Sequence, residues 1–220
     1  MRALTSPGRG ARSGFTLIEA LIAVTLGCAI LGAIGLTVLT GKENFRQGVT
    51  AASFEVRARR ALDRIVAELQ AADGTNLPAS LNPPLGSSSL QFRVCTGQSA
   101  GTPQWSPPAR IELVADPRDP VDGVDNDNDG VVDDGRVVLV RDAGGANEQR
   151  ITLVSGVRRL LEGEFANSAD DNGNGLFDES GLSFVIDAQR TLTIRLSLEC
   201  RDPRGQPMVR TVETAVHMRN

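Results

Sequence analysis

The chain has 220 residues, 40% of them hydrophobic, which is enough for one domain with a real core plus an appendage. Its formal net charge of -4 excludes non-specific nucleic-acid binding, because neutralising phosphates requires a surplus of Lys and Arg on one face. The single histidine, His217, and the lack of a His and Cys cluster, nucleophile elbow or phosphate loop leave little material for catalysis. An enzyme is therefore not expected.

The N-terminus combines a basic leader with a long apolar segment. Residues 1–14 carry three arginines and no acidic residue, and an apolar run follows from Phe15 to Thr40. About 26 residues can cross a ~30 Å hydrocarbon layer as a tilted helix, and they are too many for the apolar region of an ordinary signal peptide. Glu19 is the only charged side chain in this run, and a carboxylate buried there is costly unless it is paired.

The segment Gly14-Phe15-Thr16-Leu17-Ile18-Glu19-Ala20 resembles the processing motif of type IV pilins and of type II secretion pseudopilins. The resemblance implies that a prepilin peptidase removes residues 1–14 by cutting between Gly14 and Phe15, and that it methylates the new N-terminus. The new ammonium group at Phe15 is a cation that Glu19 of a neighbouring subunit can neutralise in a dry filament core. Two alternatives remain: an uncleaved anchor whose Glu19 stays solvated at the interface, and a signal peptide cut after the apolar run.

The chain keeps helical periodicity beyond Gly41 but becomes polar. Apolar residues recur at the spacing of one helical face, namely Phe45, Val49, Leu62, Ile65, Val66 and Leu69. The pattern predicts a helix with a transmembrane half over 15–40 and an amphipathic half over 41–73. We expect the helix to end near Asp73 and Gly74, since Pro78 prevents its continuation.

The remainder of the chain, 74–220, reads as a β-rich head. Short alternating runs predict strands at Leu90–Val94, Arg110–Val114, Val137–Arg141, Arg150–Val154, Leu182–Asp187, Leu192–Leu198 and Val209–His217. A turn is expected at Asp202-Pro203-Arg204-Gly205 between the last two strands. No βαβ signature is present, so the sheet is expected to be antiparallel. The predicted fold class is α+β and pilin-like, with a long N-terminal helix packed on an antiparallel β-sheet head.

Two acidic loops, at 122–135 and 170–181, stand out in the head. The first, from Asp125 to Asp133, places oxygen-bearing side chains at positions one, three, five and nine with Gly130 at position six. This is the layout of the first nine positions of a calcium loop. The second loop repeats the layout from Asp170, with asparagine at two of the ligand positions. Asp, Asn and Gly also make good solvated turns without any metal, which is the competing interpretation.

Neither loop has a glutamate at position twelve and neither is predicted to lie between helices, so they are not EF-hands. They resemble the calcium loops of dockerin and thrombospondin type 3 repeats. The ligands expected for Ca²⁺ in the first loop are Asp125, Asp127, Asp129, the carbonyl of Val131, Asp133 and Asp134. Those expected in the second loop are Asp170, Asn172, Asn174, the carbonyl of Leu176, Asp178 and Glu179.

The three cysteines differ in context. Cys28 lies in the apolar run and reads as a small apolar residue, whereas Cys95 and Cys200 each follow a strand-like stretch. A disulfide between Cys95 and Cys200 is predicted, closing a loop of about 100 residues and indicating an oxidising compartment. The alternative is two unpaired thiols that lie too far apart to meet.

Together these features predict a structural subunit, a minor pilin or pseudopilin that resembles the J-type pseudopilin of type II secretion or the W-type minor pilin. Such a subunit resides in the bacterial inner membrane as a single-pass protein with a cytoplasmic N-terminus and a periplasmic head. It then enters a filament, whose assembly it primes or caps. The expected partners are prepilin peptidase, other minor and major pilins or pseudopilins, the inner-membrane assembly platform and membrane lipid. The alternative is a membrane-anchored, calcium-dependent binding or adhesion protein that never enters a filament.

Overall fold

The computed structural model describes residues 16–72, 86–188 and 190–217. The chain divides into two compact units, residues 1–46 and 47–220. The predicted cleavage site at Gly14 and Phe15 and the predicted helix end at Asp73 and Gly74 lie outside the described residues.

The N-terminal helix α1 spans Leu17–Leu69 without a break, including at Gly32, Gly35 and Gly41. By length and composition it can cross a membrane. From Leu17 to Val49 every Leu, Ile, Val and Phe side chain is exposed. A water-soluble surface rarely exposes so much continuous apolar area, so this part of the helix is suited to lipid or to other helices.

The second half of α1 packs against the sheet with one face. Its buried residues are spaced by three or four positions, as one helical face requires: Phe54, Ala58, Ala61, Leu62, Ile65 and Leu69. Val66 packs at the edge of this core. Phe45 and Val49, which the periodicity placed on the same stripe, are exposed. The predicted fold class is confirmed: a long N-terminal helix packs against an antiparallel sheet.

Nine strands follow α1 in the described residues, and all seven predicted strands are among them. They are β1 (Ser89–Phe92), β2 (Cys95–Ser99), β3 (Thr102–Trp105), β4 (Ala109–Ala115), β5 (Gly135–Arg141), β6 (Gln149–Val157), β7 (Leu182–Ile186), β8 (Thr191–Arg201) and β9 (Pro207–His217). The unpredicted strands β2 and β3 form a separate two-stranded hairpin whose residues are all exposed. Such a hairpin carries no alternation of buried and exposed positions, which is the signal that strand prediction uses.

The main sheet has the order β1-β4-β5-β6-β8-β7, with β9 also paired to β8, and every pairing is antiparallel. A bridge between Ser87 and Phe184 joins the β1 end to β7, so the sheet curls back on itself. Alternate residues of β8 point into the core, among them Leu192, Ile194 and Leu196, each with no exposed surface.

The predicted turn between the last two strands is present. The N–H of Gly205 donates to the carbonyl of Asp202 at 2.9 Å, and the Asp202 side chain accepts from the N–H groups of Arg204 and Gln206. This turn sets the register of the β8–β9 hairpin, in which Arg201 lies opposite Pro207 and Thr191 opposite His217.

The predicted disulfide between Cys95 and Cys200 is not formed, since both are free thiols in the structure. Cys95 follows Val94, which forms a bridge with Ala72 beyond the end of α1. Cys200 lies within electrostatic reach of Arg57, whose charge partly offsets the rise in pKa that burial causes in the Cys200 thiol. The structure therefore agrees with the alternative of two unpaired thiols.

Candidate functional site

The first turn of α1 is closed by a capping box formed by Thr16 and Glu19. The Glu19 carboxylate accepts hydrogen bonds from the backbone N–H and the hydroxyl of Thr16, both at 2.9 Å. In return, the N–H of Glu19 donates to the Thr16 hydroxyl oxygen at 3.3 Å. A capping box satisfies N–H groups that have no partner inside the helix, and a carboxylate also interacts favourably with the positive helix N-terminus. Glu19 is therefore paired within its own chain.

The first acidic loop lies in the connection between β4 and β5, where it forms what we call the first acidic repeat, residues 116–134. Asp125, Asp127 and Asp129 each present one carboxylate oxygen, and these oxygens lie within 4.8 Å of one another. Each residue also accepts one backbone N–H of the loop, from Gly130, Asp129 and Val131 respectively. Gly130 has a φ of +95°, which permits the sharp turn that brings the carboxylates together.

Asp134 adds a buried carboxylate to this cluster. Its side chain is 2% exposed, its Oδ2 accepts the N–H of Gly156 at 2.8 Å, and its Oδ1 has no hydrogen-bond partner. Burial and then the neighbouring charge of Asp129 raise the pKa of Asp134 to about 6. Burial also raises the pKa of Asp129, with a further rise from the charges of Asp127 and Asp125. Asp125 Oδ1 is likewise buried without a partner. Arg118, whose side chain is largely exposed, lies 3.8 Å from a carboxylate oxygen of Asp127, whereas the Oδ1 atoms of Asp125 and Asp134 stay without a hydrogen-bond partner.

Asp119 is a buried carboxylate that accepts backbone hydrogen bonds from within the first acidic repeat. The sequence did not indicate this role, because Asp119 lies outside the predicted loop. It has no exposed surface, and it accepts the N–H of Asn126 at 2.8 Å and that of Asp134 at 3.1 Å. Asp133, a predicted ligand, lies at the neck of the loop, where its carboxylate accepts the N–H groups of Asp122 and Gly123. The side chain of Val131, whose carbonyl is a predicted ligand, is buried.

The connection between β6 and β7 contains a second copy of this structure, the second acidic repeat, residues 161–179. Its hydrogen bonds match those of the first acidic repeat at a constant displacement of 45 residues, as from Asp125 to Asp170. The N–H donors of eight matching bonds, in pairs, are Asp116 and Leu161, Asp119 and Glu164, Asp122 and Asn167, Gly123 and Ser168, Val124 and Ala169, Asp129 and Asn174, Gly130 and Gly175, and Val131 and Leu176.

The acceptors of the second acidic repeat occupy the same roles. Asp178 closes the neck as Asp133 does, by accepting the N–H groups of Asn167 and Ser168. Glu164 takes the place of Asp119 as a buried carboxylate, but its donors differ by one position: it accepts the N–H groups of Asn172 and Asp178, which are neighbours of the exact counterparts. The sequence did not predict that the repeat begins before the acidic loop, at residue 161, nor that Glu164 is one of its buried acceptors.

The two acidic repeats differ in how their buried carboxylate is compensated. Glu179, which corresponds to Asp134, has both oxygens partnered. Its Oε1 lies 3.3 Å from Arg195 Nη1, and its Oε2 accepts the side-chain N–H of Asn174 at 2.5 Å. Arg195 comes from β8, far from the loop in sequence, which is why the motif could not indicate it.

Comparison with known families gives one match. Residues 9–35 match the prokaryotic N-terminal methylation motif, a stretch that contains Gly14, Phe15 and Glu19. No curated protein and no solved structure matches the chain. The motif supports a type IV pilin-like or pseudopilin-like subunit that prepilin peptidase processes and that assembles with other pilins, which indicates a structural protein rather than an enzyme.

Proposed function

We propose that the protein is a minor pilin or pseudopilin that waits in the bacterial inner membrane and then enters a type II secretion pseudopilus or a type IV pilus. The observation that carries the proposal is the methylation motif at the start of a 53-residue helix. The exposed apolar residues from Leu17 to Val49 need lipid before assembly and neighbouring helices after it. A cytoplasmic N-terminus, a periplasmic head, contact with the assembly platform and a role in priming or capping the filament follow from the resemblance to the J-type and W-type subunits.

Processing is tested directly by mass spectrometry of the membrane-extracted protein. We expect a mature species that begins with methylated Phe15. Retention of residues 1–14 in cells that possess the peptidase would contradict the proposal and favour the uncleaved, calcium-dependent adhesion protein.

Glu19 has two proposed tasks that variants can separate. It closes the capping box with Thr16 in its own chain, and its charge neutralises the N-terminal ammonium group of a neighbouring subunit in the filament. Glu19→Gln keeps an oxygen for the capping box but removes the charge, whereas Glu19→Val removes both.

We expect both variants to insert into the membrane and both to fail in filament incorporation, because the intersubunit pair requires the charge. Filaments sheared from cells and membrane fractions, probed in parallel for the protein, measure the two steps. Normal incorporation of Glu19→Gln together with loss of Glu19→Val would show that capping, and not the charge pair, is what assembly requires.

We further propose that the first acidic repeat binds Ca²⁺. Calcium prefers six to eight oxygen ligands, and the repeat offers three clustered carboxylates from Asp125, Asp127 and Asp129. Within the described structure, the Oδ1 of Asp125 is buried without a hydrogen-bond partner, and the equally unpartnered Oδ1 of Asp134 supplies one further acceptor. A divalent cation would offset the mutual repulsion of these groups and fix the connection between β4 and β5. The second acidic repeat is the weaker candidate, because Arg195 already neutralises Glu179.

A further inference from the structure

We infer that the second acidic repeat carries a built-in cation: the guanidinium of Arg195, together with the amide of Asn174, takes the place that calcium fills in the first acidic repeat. The chain then binds one calcium ion rather than two. This inference rests on the calcium part of the proposed function.

Two buried carboxylates occupy equivalent positions in the two acidic repeats. Asp134 and Glu179 are 2% and 3% exposed, and each follows the aspartate that closes the neck of its loop. Asp134 keeps one oxygen without a partner, whereas both oxygens of Glu179 are bound. A buried carboxylate needs a compensating positive charge or donors, and the two repeats meet this need differently.

Position five of the loop is Asp129 in the first acidic repeat and Asn174 in the second. In both repeats one side-chain oxygen at this position accepts the N–H of the residue two positions later, Val131 or Leu176. The other terminal atom of Asp129 is an oxygen, which can bind a cation, whereas that of Asn174 is an NH₂ group, which donates to Glu179. A donor in this place satisfies Glu179 and, in this orientation, presents no free oxygen to a metal ion.

The sheet and a second carboxylate hold Arg195 in place. It lies on β8, opposite Glu213 of β9 and Ser183 of β7, and its side chain is 19% exposed. Its Nε lies 2.6 Å from a carboxylate oxygen of Glu213, while its Nη1 reaches Glu179. Two strand pairings and a second carboxylate thus fix the guanidinium next to the repeat, so the positive charge is part of the sheet.

Calcium stoichiometry is the first test, measured by equilibrium dialysis on the full chain in detergent micelles. One ion per chain is the expected result. Two ions per wild-type chain would overturn the inference while leaving the calcium proposal intact. No bound ion would overturn the calcium proposal for the first acidic repeat, and the variants of Arg195 would then decide the inference on their own.

Arg195→Gln removes the built-in cation. We expect its melting temperature to fall in EDTA and to be restored by calcium, with one more bound ion than in the wild type. Arg195→Lys keeps a positive charge and should show no additional ion. Glu213→Gln is the matched control, because it removes the other partner of Arg195 and leaves the contact with Glu179 in place.

Asn174→Asp provides an independent variant in case Arg195→Gln does not fold without calcium. It removes the donor and converts position five to the residue found in the first acidic repeat, so we expect calcium to displace Arg195 from Glu179 and one additional ion to bind. If Arg195→Gln stays unfolded in calcium, or if neither variant binds an additional ion, the inference is wrong.

Discussion

Replacing Asp134 by Asn preserves the shape of the side chain and an oxygen that can accept the N–H of Gly156, but removes the charge. The rise in the pKa of Asp134 from 3.8 to about 6 corresponds to about 3 kcal/mol against the ionised carboxylate. The Asp134 carboxyl is still mostly ionised at neutral pH. Without a bound cation, the folded protein is therefore destabilised by this amount. We therefore expect Asp134→Asn to increase the free energy of unfolding in EDTA by up to about 3 kcal/mol.

Calcium should produce a gain of similar size in the wild type. A ligand at about one hundred times its dissociation constant stabilises the state that binds it by about 2.7 kcal/mol. In a chain of this length, 1 kcal/mol shifts the melting temperature by roughly 2–4 °C, so the expected shift is about 5–11 °C. Asp134→Asn should lose most of this response, because one of the charged ligands is gone.

Thermal melts followed by circular dichroism, on the full chain in detergent with EDTA or with calcium, measure both effects. A calcium concentration of about 10 mM is suitable, because carboxylate-rich extracellular sites have dissociation constants of roughly 10⁻⁴ to 10⁻³ M. Asp122→Asn is the matched control. Asp122 lies outside the carboxylate cluster, and its counterpart in the second acidic repeat is already Asn167. It should respond to calcium as the wild type does. An equal calcium shift in Asp134→Asn and the wild type would refute the proposed ligand role of Asp134.

Two further predictions concern the core and the thiols. Ile65→Ala should lower the free energy of unfolding by about 2–5 kcal/mol in denaturant melts, because Ile65 has no exposed surface, whereas Ile34→Ala in the exposed apolar half should change it little. A small effect at Ile65 would mean that α1 does not pack on the sheet as described. Maleimide labelling followed by peptide mapping should modify exposed Cys95 faster than Cys200, whose thiol pKa is raised by burial. Recovery of a Cys95–Cys200 disulfide peptide would contradict the free thiols of the structure.

Elements with a buried face could be predicted from the sequence, because burial imposes a period on the apolar residues. Leu192, Ile194 and Leu196 alternate along β8, and Leu62 and Ile65 mark the packed face of α1. The β2–β3 hairpin lacks a buried face and left no such period. Phe45 and Val49 have the spacing of the apolar face of α1 but are exposed. Spacing alone cannot indicate which residues of a helical face are covered by the sheet.

The candidate metal site shows a different limit, because the ligand pattern is local and charge compensation is not. The layout of Asp125, Asp127 and Asp129 was readable from spacing, and the repeated layout from Asp170 was readable too. Similar backbone hydrogen bonds then formed two nearly equivalent loops whose needs for a cation differ. The difference arises at Arg195, which a separate strand brings to Glu179. We therefore propose that the sheet on which such a loop rests decides whether it requires calcium, since a motif match alone would assign an ion to both loops.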